Sequence, residues 1–219
     1  MSGPGALLFD LDGTLTDSRH GIVACIRHAM AHMGVAAADD EHALLACLGP
    51  PLRGSFAQLL RTDDAARVEV AMSLYRERFD SIGWRENSVY PGVGDALAKL
   101  ATCGHRMYVC TSKPLVYAQR IVAFFGLDGF FAGVYGPGLD GTLDDKRELL
   151  MHVIRNEGLD PAHAWMIGDR YHDVRAARAN GVHAIGVLWG YGSRAELADA
   201  DALVSAPDEI ACVLANNSA

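Results

Sequence analysis

Asp10 and Asp12 stand two residues apart in "LLFDLDGTLTDS" (7–18), where an apolar run gives way to a Gly-containing loop. Carboxylates held about 4 Å apart repel by about 4 kcal/mol at an effective dielectric of 20. Further along, Thr111 and Ser112 close the run "RMYVCTS", Asp169 closes "AWMIGD", and Asp173 follows it by four residues. Lys146 falls at the start of a helical pattern that precedes Asp169. A hard cation relieves crowded carboxylates, and Mg²⁺ is satisfied by one or two of them with water and substrate phosphate completing its shell. Such a set suits phosphoryl transfer, in which metal, lysine and backbone N–H groups neutralise the phosphoryl oxygens. One carboxylate can attack phosphorus and another can move the proton. Gly13 permits a tight turn close to the phosphate.

These groups meet only if each sits at the carboxyl end of a strand in one sheet, where open α/β sheets bind ligands. Apolar runs recur at 6–10, 106–112, 132–136, 164–169 and 183–190, with a weaker one at 201–205. Helical patterns at 115–125, 146–157 and 173–180 alternate with them. Continuous apolar strands between helices predict an α/β, doubly wound, mostly parallel sheet covered on both faces. About ninety-five residues separate the first run from the second, far beyond an ordinary crossover. Ile22, Ile26, Ala29, Met30 and Met33 share a helical face, Leu44, Leu45 and Leu48 suggest a second helix, and residues 63–79 a third. The expectation is a core of residues 1–15 and 89–219 with a helical cap inserted at 16–88. "GPPLRGS" (49–55) reads as a cap loop, and its Arg53 as a reader of the non-phosphate end of a substrate. In "TSKPLVYAQRI", Ser112 reads as the N-cap and Pro114 as the first turn of a helix offering N–H groups to an anion.

Composition narrows the classes. The chain has 219 residues, half of them hydrophobic, enough for a sizeable core. A formal net charge of −8 argues against a nucleic-acid partner. Five cysteines, with no C-x-x-C, argue against a disulfide framework or a structural zinc site. The N-terminal segment lacks the basic start of a signal peptide, and no apolar stretch reaches the ~18–20 residues of a membrane span, so a cytoplasmic protein without membrane partners is expected.

Isolated features have simpler explanations. A calcium loop fails because the required glycine would fall on Leu15. "GPGLDG" (136–141) matches a dinucleotide fingerprint but does not open a helix directly. His28 and His32 have a metal-like spacing without the accompanying glutamate. It is the ordered set of strand-end residues that calls for a common site.

That set resembles the haloacid dehalogenase superfamily: "FDLDGTLTDS" is similar to its first motif, "VCTS" to its second, Lys146 to its third and "MIGDRYHD" to its fourth. The likeness spans essentially the whole chain, and the insert is placed like the helical cap of the phosphoglycolate phosphatase-like branch, which includes bacterial 5′-nucleotidases. The resemblance implies a Rossmannoid core of that superfamily and a Mg²⁺-dependent phosphomonoesterase acting on a small phosphorylated metabolite. Asp10 would be the nucleophile. Asp12 would be the general acid/base, with its carbonyl on the metal. Asp169 would be a second carboxylate ligand, with Asp173 in support. Thr111 and Lys146 would hold the phosphoryl group, with Gly13 and Ser112 beside it. Two rivals stay open: a phosphosugar mutase of the same fold, and a binding protein built on it.

Overall fold

The computed structural model describes residues 5–35 and 41–217. In chain order, β1 (Ala6–Phe9) is followed by β2 (Thr16–Asp17), α1 (Arg19–His32), α2 (Glu41–Leu45), α3 (Leu52–Leu60), α4 (Ala65–Ser81) and β3 (Ser88–Val89). Then come α5 (Val93–Thr102), β4 (Arg106–Cys110), α6 (Leu115–Phe124), β5 (Gly133–Tyr135), α7 (Lys146–Glu157), β6 (Ala164–Gly168), α8 (Tyr171–Ala179), β7 (His183–Val187), β8 (Ala202–Val204) and α9 (Glu209–Asn216). The chain divides into two compact units, Met1–Thr16 with Val89–Ala219, and Asp17–Ser88.

The larger unit is built on a six-stranded sheet in the order β5-β4-β1-β6-β7-β8, every pairing parallel. Its central strands are apolar throughout because both faces are covered. Successive side chains point to opposite faces. Leu8, Tyr108, Cys110, Met166 and Ala184 join Leu149, Leu150 and Val153 of α7 and Val174, Ala176 and Ala177 of α8 in one buried cluster. On the other face Phe9 meets Val93, Leu97 and Leu100 of α5 and Ile210 of α9. Register does the positioning. Phe9 pairs with both Val109 and Ile167, and β4 and β6 run one residue further, to Cys110 and Gly168, so the three strands end within one residue of each other. The Asp10 N–H then donates to the Ile167 carbonyl (2.9 Å) and the Thr111 N–H to the Tyr135 carbonyl (3.0 Å). The chemistry-bearing residues therefore leave the sheet at one height.

The smaller unit is helical. α1 packs on α4, and α4 also packs on α3. Ile22, Ile26, Ala29 and Met30 of α1 are buried, as are Phe56, Tyr75 and Phe79. Met33 of the expected face is only half-buried, since α1 has already ended there. Tyr75 stands edge-on to Phe56 and stacks on Phe79, with ring centroids 6.1 and 5.6 Å apart. Arg78 of α4 donates from both terminal nitrogens to Glu86 (2.6 and 3.0 Å) and from one of them to the Cys25 sulfur of α1 (3.3 Å).

Two sequence expectations are corrected in this unit. "GPPLRGS" is a loop only as far as Pro51: α3 begins at Leu52, with Pro51 as its N-cap residue. Proline suits a helix start because its missing N–H has no intrahelical role there, and burial of Ser55, Phe56 and Leu60 overrides the poor propensity of Gly54. Arg53 accordingly lies in a first helical turn, its Nε 2.6 Å from Glu69 Oε1 of α4. Also, α2 ends at Leu45, and Leu48 follows in a turn while remaining buried.

Candidate active site

At the end of β1 the chain turns sharply. The N–H groups of Thr14, Leu15 and Thr16 all point back to the Leu11 carbonyl, and Gly13 adopts φ +85°. A β-carbon on Gly13 would collide with the Asp169 carboxylate, so glycine is required by both conformation and space. Asp10 Oδ1 accepts from the Leu11 N–H (2.8 Å), and its Oδ2 lies 2.9 Å from Lys146 Nζ. Lys146 also pairs with Asp173. A lysine in the first turn of α7 works against the helix dipole, and these two carboxylates account for its being there.

Asp169 is wholly buried. Its Oδ2 accepts from the Tyr191 N–H (2.7 Å) and its Oδ1 from the Thr14 hydroxyl (3.4 Å). Trp189 Nε1 donates to the Thr14 carbonyl (3.0 Å), tying the loop after β7 to the turn after β1. That loop approaches so closely that β-carbons on Gly190 or Gly192 would strike Asp169. Asp173 is buried too, and its Oδ2 accepts from the Arg170 N–H (3.0 Å), which caps α8. Glu196 holds the same turn, accepting from Arg170 Nε (2.7 Å) and the Tyr171 N–H (3.0 Å).

Asp10, Asp169 and Asp173 each offer a carboxylate oxygen, and these oxygens lie within 4.8 Å of one another. Burial pushes the Asp169 pKa well above the ordinary carboxyl value, and the charges of Asp10 and Asp173 push the same way, against the Tyr191 N–H and Lys146. Burial also raises Asp173, which Lys146 opposes. Burial would depress Lys146, but Asp10 and Asp173 outweigh it and hold the ammonium protonated. With all three carboxyls ionised, this buried space would hold three negative charges against one ammonium, the repulsion that raises Asp169. This oxygen-only donor set and charge deficit fit a hard divalent cation such as Mg²⁺. Asp173 shares this cluster while its two oxygens engage Lys146 and the Arg170 N–H.

Thr111 is buried at the end of β4, its hydroxyl accepting from the Lys113 N–H (3.2 Å). Ser112 is half-buried and is not the cap of α6. That helix starts at Leu115, because Pro114 holds an extended ψ of 134°. The Leu115 N–H is taken by the Pro137 carbonyl (2.9 Å), so the first N–H of α6 does not point at an anion as expected. Sequence reasoning passed over Lys113, Tyr191 and the glycines at 190 and 192. Lys113 lay inside the stretch read as a helix start and Gly190 at the end of an apolar run, but neither was given a role at the site. The side chain of Asp12 points to Lys113, with Nζ 2.5 Å from Oδ2.

Comparison with known proteins fits this geometry. Residues 7–187 match the family described as haloacid dehalogenase-like hydrolase. A 5′-nucleotidase of Pseudomonas aeruginosa is 46% identical over 191 residues, spanning 87% of this chain and 86% of that protein. The tyrosine-protein kinase PtkA of Mycobacterium tuberculosis is 38% identical over 196 residues, spanning 90% of this chain and 66% of the kinase. The crystal structure of a predicted phosphatase from Clostridium acetobutylicum superimposes with a TM-score of 0.92 at 34% identity, covering 98% of this chain and all of that one.

Proposed function

Because the chain belongs to the haloacid dehalogenase-like hydrolases and is a phosphatase of that family, we propose that it hydrolyses a small phosphomonoester through an aspartyl-phosphate on Asp10, with Mg²⁺ as cofactor. The observation that carries this reading is the buried Lys146, set between Asp10 and Asp173 with Asp169 alongside. Asp10, Asp169 and the Asp12 carbonyl would hold the metal, with Asp173 in support, and it would supply charge neutralisation at the phosphoryl oxygens. Asp10 attacks phosphorus, and Asp12 passes a proton to the departing ester oxygen. Asp12 then takes a proton from the water that releases phosphate from Asp10. Thr111 and Lys146 hold the phosphoryl group, with Gly13 and Ser112 at its edge.

The substrate is a nucleoside monophosphate or a phosphoglycolate-like acid. The relative called a 5′-nucleotidase favours the first. The helical unit, Asp17–Ser88, serves as the selecting cap. Arg53, partly exposed with its Nε on Glu69, is the candidate reader of the substrate's non-phosphate end. No helix among the described residues is long and apolar enough to cross a membrane.

A panel of about a hundred phosphomonoesters, assayed for phosphate release with Mg²⁺ and with a chelator, tests the reading. Metal-dependent release from nucleoside monophosphates or phosphoglycolate supports it. Isomerisation of a sugar phosphate without phosphate release would make the protein a mutase. Transfer to a protein tyrosine in place of water would align it with PtkA. Inactivity across the panel would sink catalysis altogether.

A further inference from the structure

Lys113 is buried, although lysine is among the residues least often found inside. Its Nζ lies 2.5 Å from Asp12 Oδ2, and the two side chains are 5% and 15% exposed. The other oxygen, Asp12 Oδ1, is buried and accepts no hydrogen bond among the described residues. The lysine backbone is pinned on three sides. Its N–H donates to Thr111 Oγ1, the next-but-one N–H (Leu115) donates to the Pro137 carbonyl, and Gly136 lies so close that a β-carbon there would strike the Lys113 carbonyl. The close approach of Gly136 also explains the glycine of "GPGLDG" that resembled a dinucleotide fingerprint.

We infer that Lys113 is a positioning residue for proton transfer: it clamps one oxygen of Asp12 and leaves the other to carry the proton. An ammonium only donates hydrogen bonds, so the oxygen it holds is poorly placed to bear a proton as well. Oδ1, which has no partner among the described residues, is the oxygen left free to give and take a proton. As the Asp10–phosphorus bond forms and the ester P–O bond breaks, the Oδ1 proton passes to the leaving oxygen. The Asp12 carboxylate that results stays against Lys113. In the second half, a water oxygen bonds to phosphorus, the Asp10–phosphorus bond breaks, and Oδ1 takes the water's proton. The starting state is restored.

This inference rests on the proposed roles of Asp10 and Asp12, and the test keeps the two readings apart. The wild type, Lys113→Met, Lys113→Gln, Lys113→Arg, Asp12→Asn and Asp10→Asn are assayed with Mg²⁺. The substrates are aryl phosphates of rising leaving-group pKa and one alkyl phosphate. Positioned acid–base groups contribute about 10²–10⁴-fold. Lys113→Met and Lys113→Gln should therefore lose about tenfold or more on the alkyl phosphate beyond their loss on the dinitrophenyl ester. Lys113→Arg should recover part of that slope. In the Asp12→Asn background the lysine change should add little, as for residues acting as a unit. An equal loss across the series, or no loss, would overturn the role of Lys113. Turnover by Asp10→Asn would overturn the nucleophile assignment instead, whatever the slope.

Discussion

Gly13 faces two demands at once: a left-handed backbone and a carboxylate where a side chain would begin. Gly13→Ala should cost about 1–3 kcal/mol of stability, as expected for a strained backbone position. It should cost much more in turnover, about a hundredfold, because Asp169 has to move and small displacements of catalytic groups are expensive. Melting and steady-state kinetics on the same preparation check both. Asp169 invites a second prediction. A carboxyl whose folded-state pKa is raised binds its proton more tightly in the folded protein. Stability therefore falls as pH rises above the ordinary carboxyl value toward the raised one. Without metal, Asp169→Asn should melt higher than the wild type, and the gap should widen from pH 4 to pH 7. With Mg²⁺ the order should reverse, since only the wild type keeps the full donor set. Identical pH profiles for the two proteins would refute the buried repulsion.

Elements decide how much of this was readable. The strands of the larger unit were legible because parallel strands buried on both faces are continuously apolar. Lys146 was legible as a lysine misplaced for its helix. The start of α3 was not, because two prolines and two glycines in "GPPLRGS" imitate a loop, and only the burial of Phe56 and Leu60 shows otherwise. Tyr191, Gly190 and Gly192 were not legible either. Their importance comes from touching Asp169, more than twenty positions away, and no local pattern encodes such a contact. In the helical unit the Arg78–Glu86 pair makes its own prediction. The Arg78 hydrogen bond holds Glu86 below the usual carboxyl range, against the effect of burial. A lowered pKa contributes stability above the unfolded value and loses it as pH falls through the folded one. Glu86→Gln should destabilise by about 1–3 kcal/mol at pH 7. Its melting curve should approach that of the wild type near pH 3. A gap that persists undiminished in acid would mean the pair acts through packing rather than charge.

At the scale of the whole molecule, the residues proposed for catalysis come from distant parts of the chain. Asp10, Thr111, Lys146 and Asp169 converge only when β1, β4 and β6 are in register. Binding of metal and folding of the larger unit should therefore be linked. At a hundred times its dissociation constant, Mg²⁺ should add about 2.7 kcal/mol of stability. Calorimetry with and without the metal measures it. Asp173→Asn, which removes the charge of one of the three clustered carboxylates, should shrink the effect.

Cys110 lies at the end of β4, wholly buried beneath this cluster, and burial pushes its thiol pKa up to about 12. In the closed sheet it is chemically silent toward alkylating reagents, which need the thiolate and access to it. Each opening of the catalytic floor would expose it. Cys103 and Cys212 are exposed and should react at once, giving a fast background. The slow labelling of Cys110, resolved by peptide mapping from that of the buried Cys25 and Cys47, would then act as a clock for rare excursions of the sheet's centre, and bound Mg²⁺ should make that clock run slower.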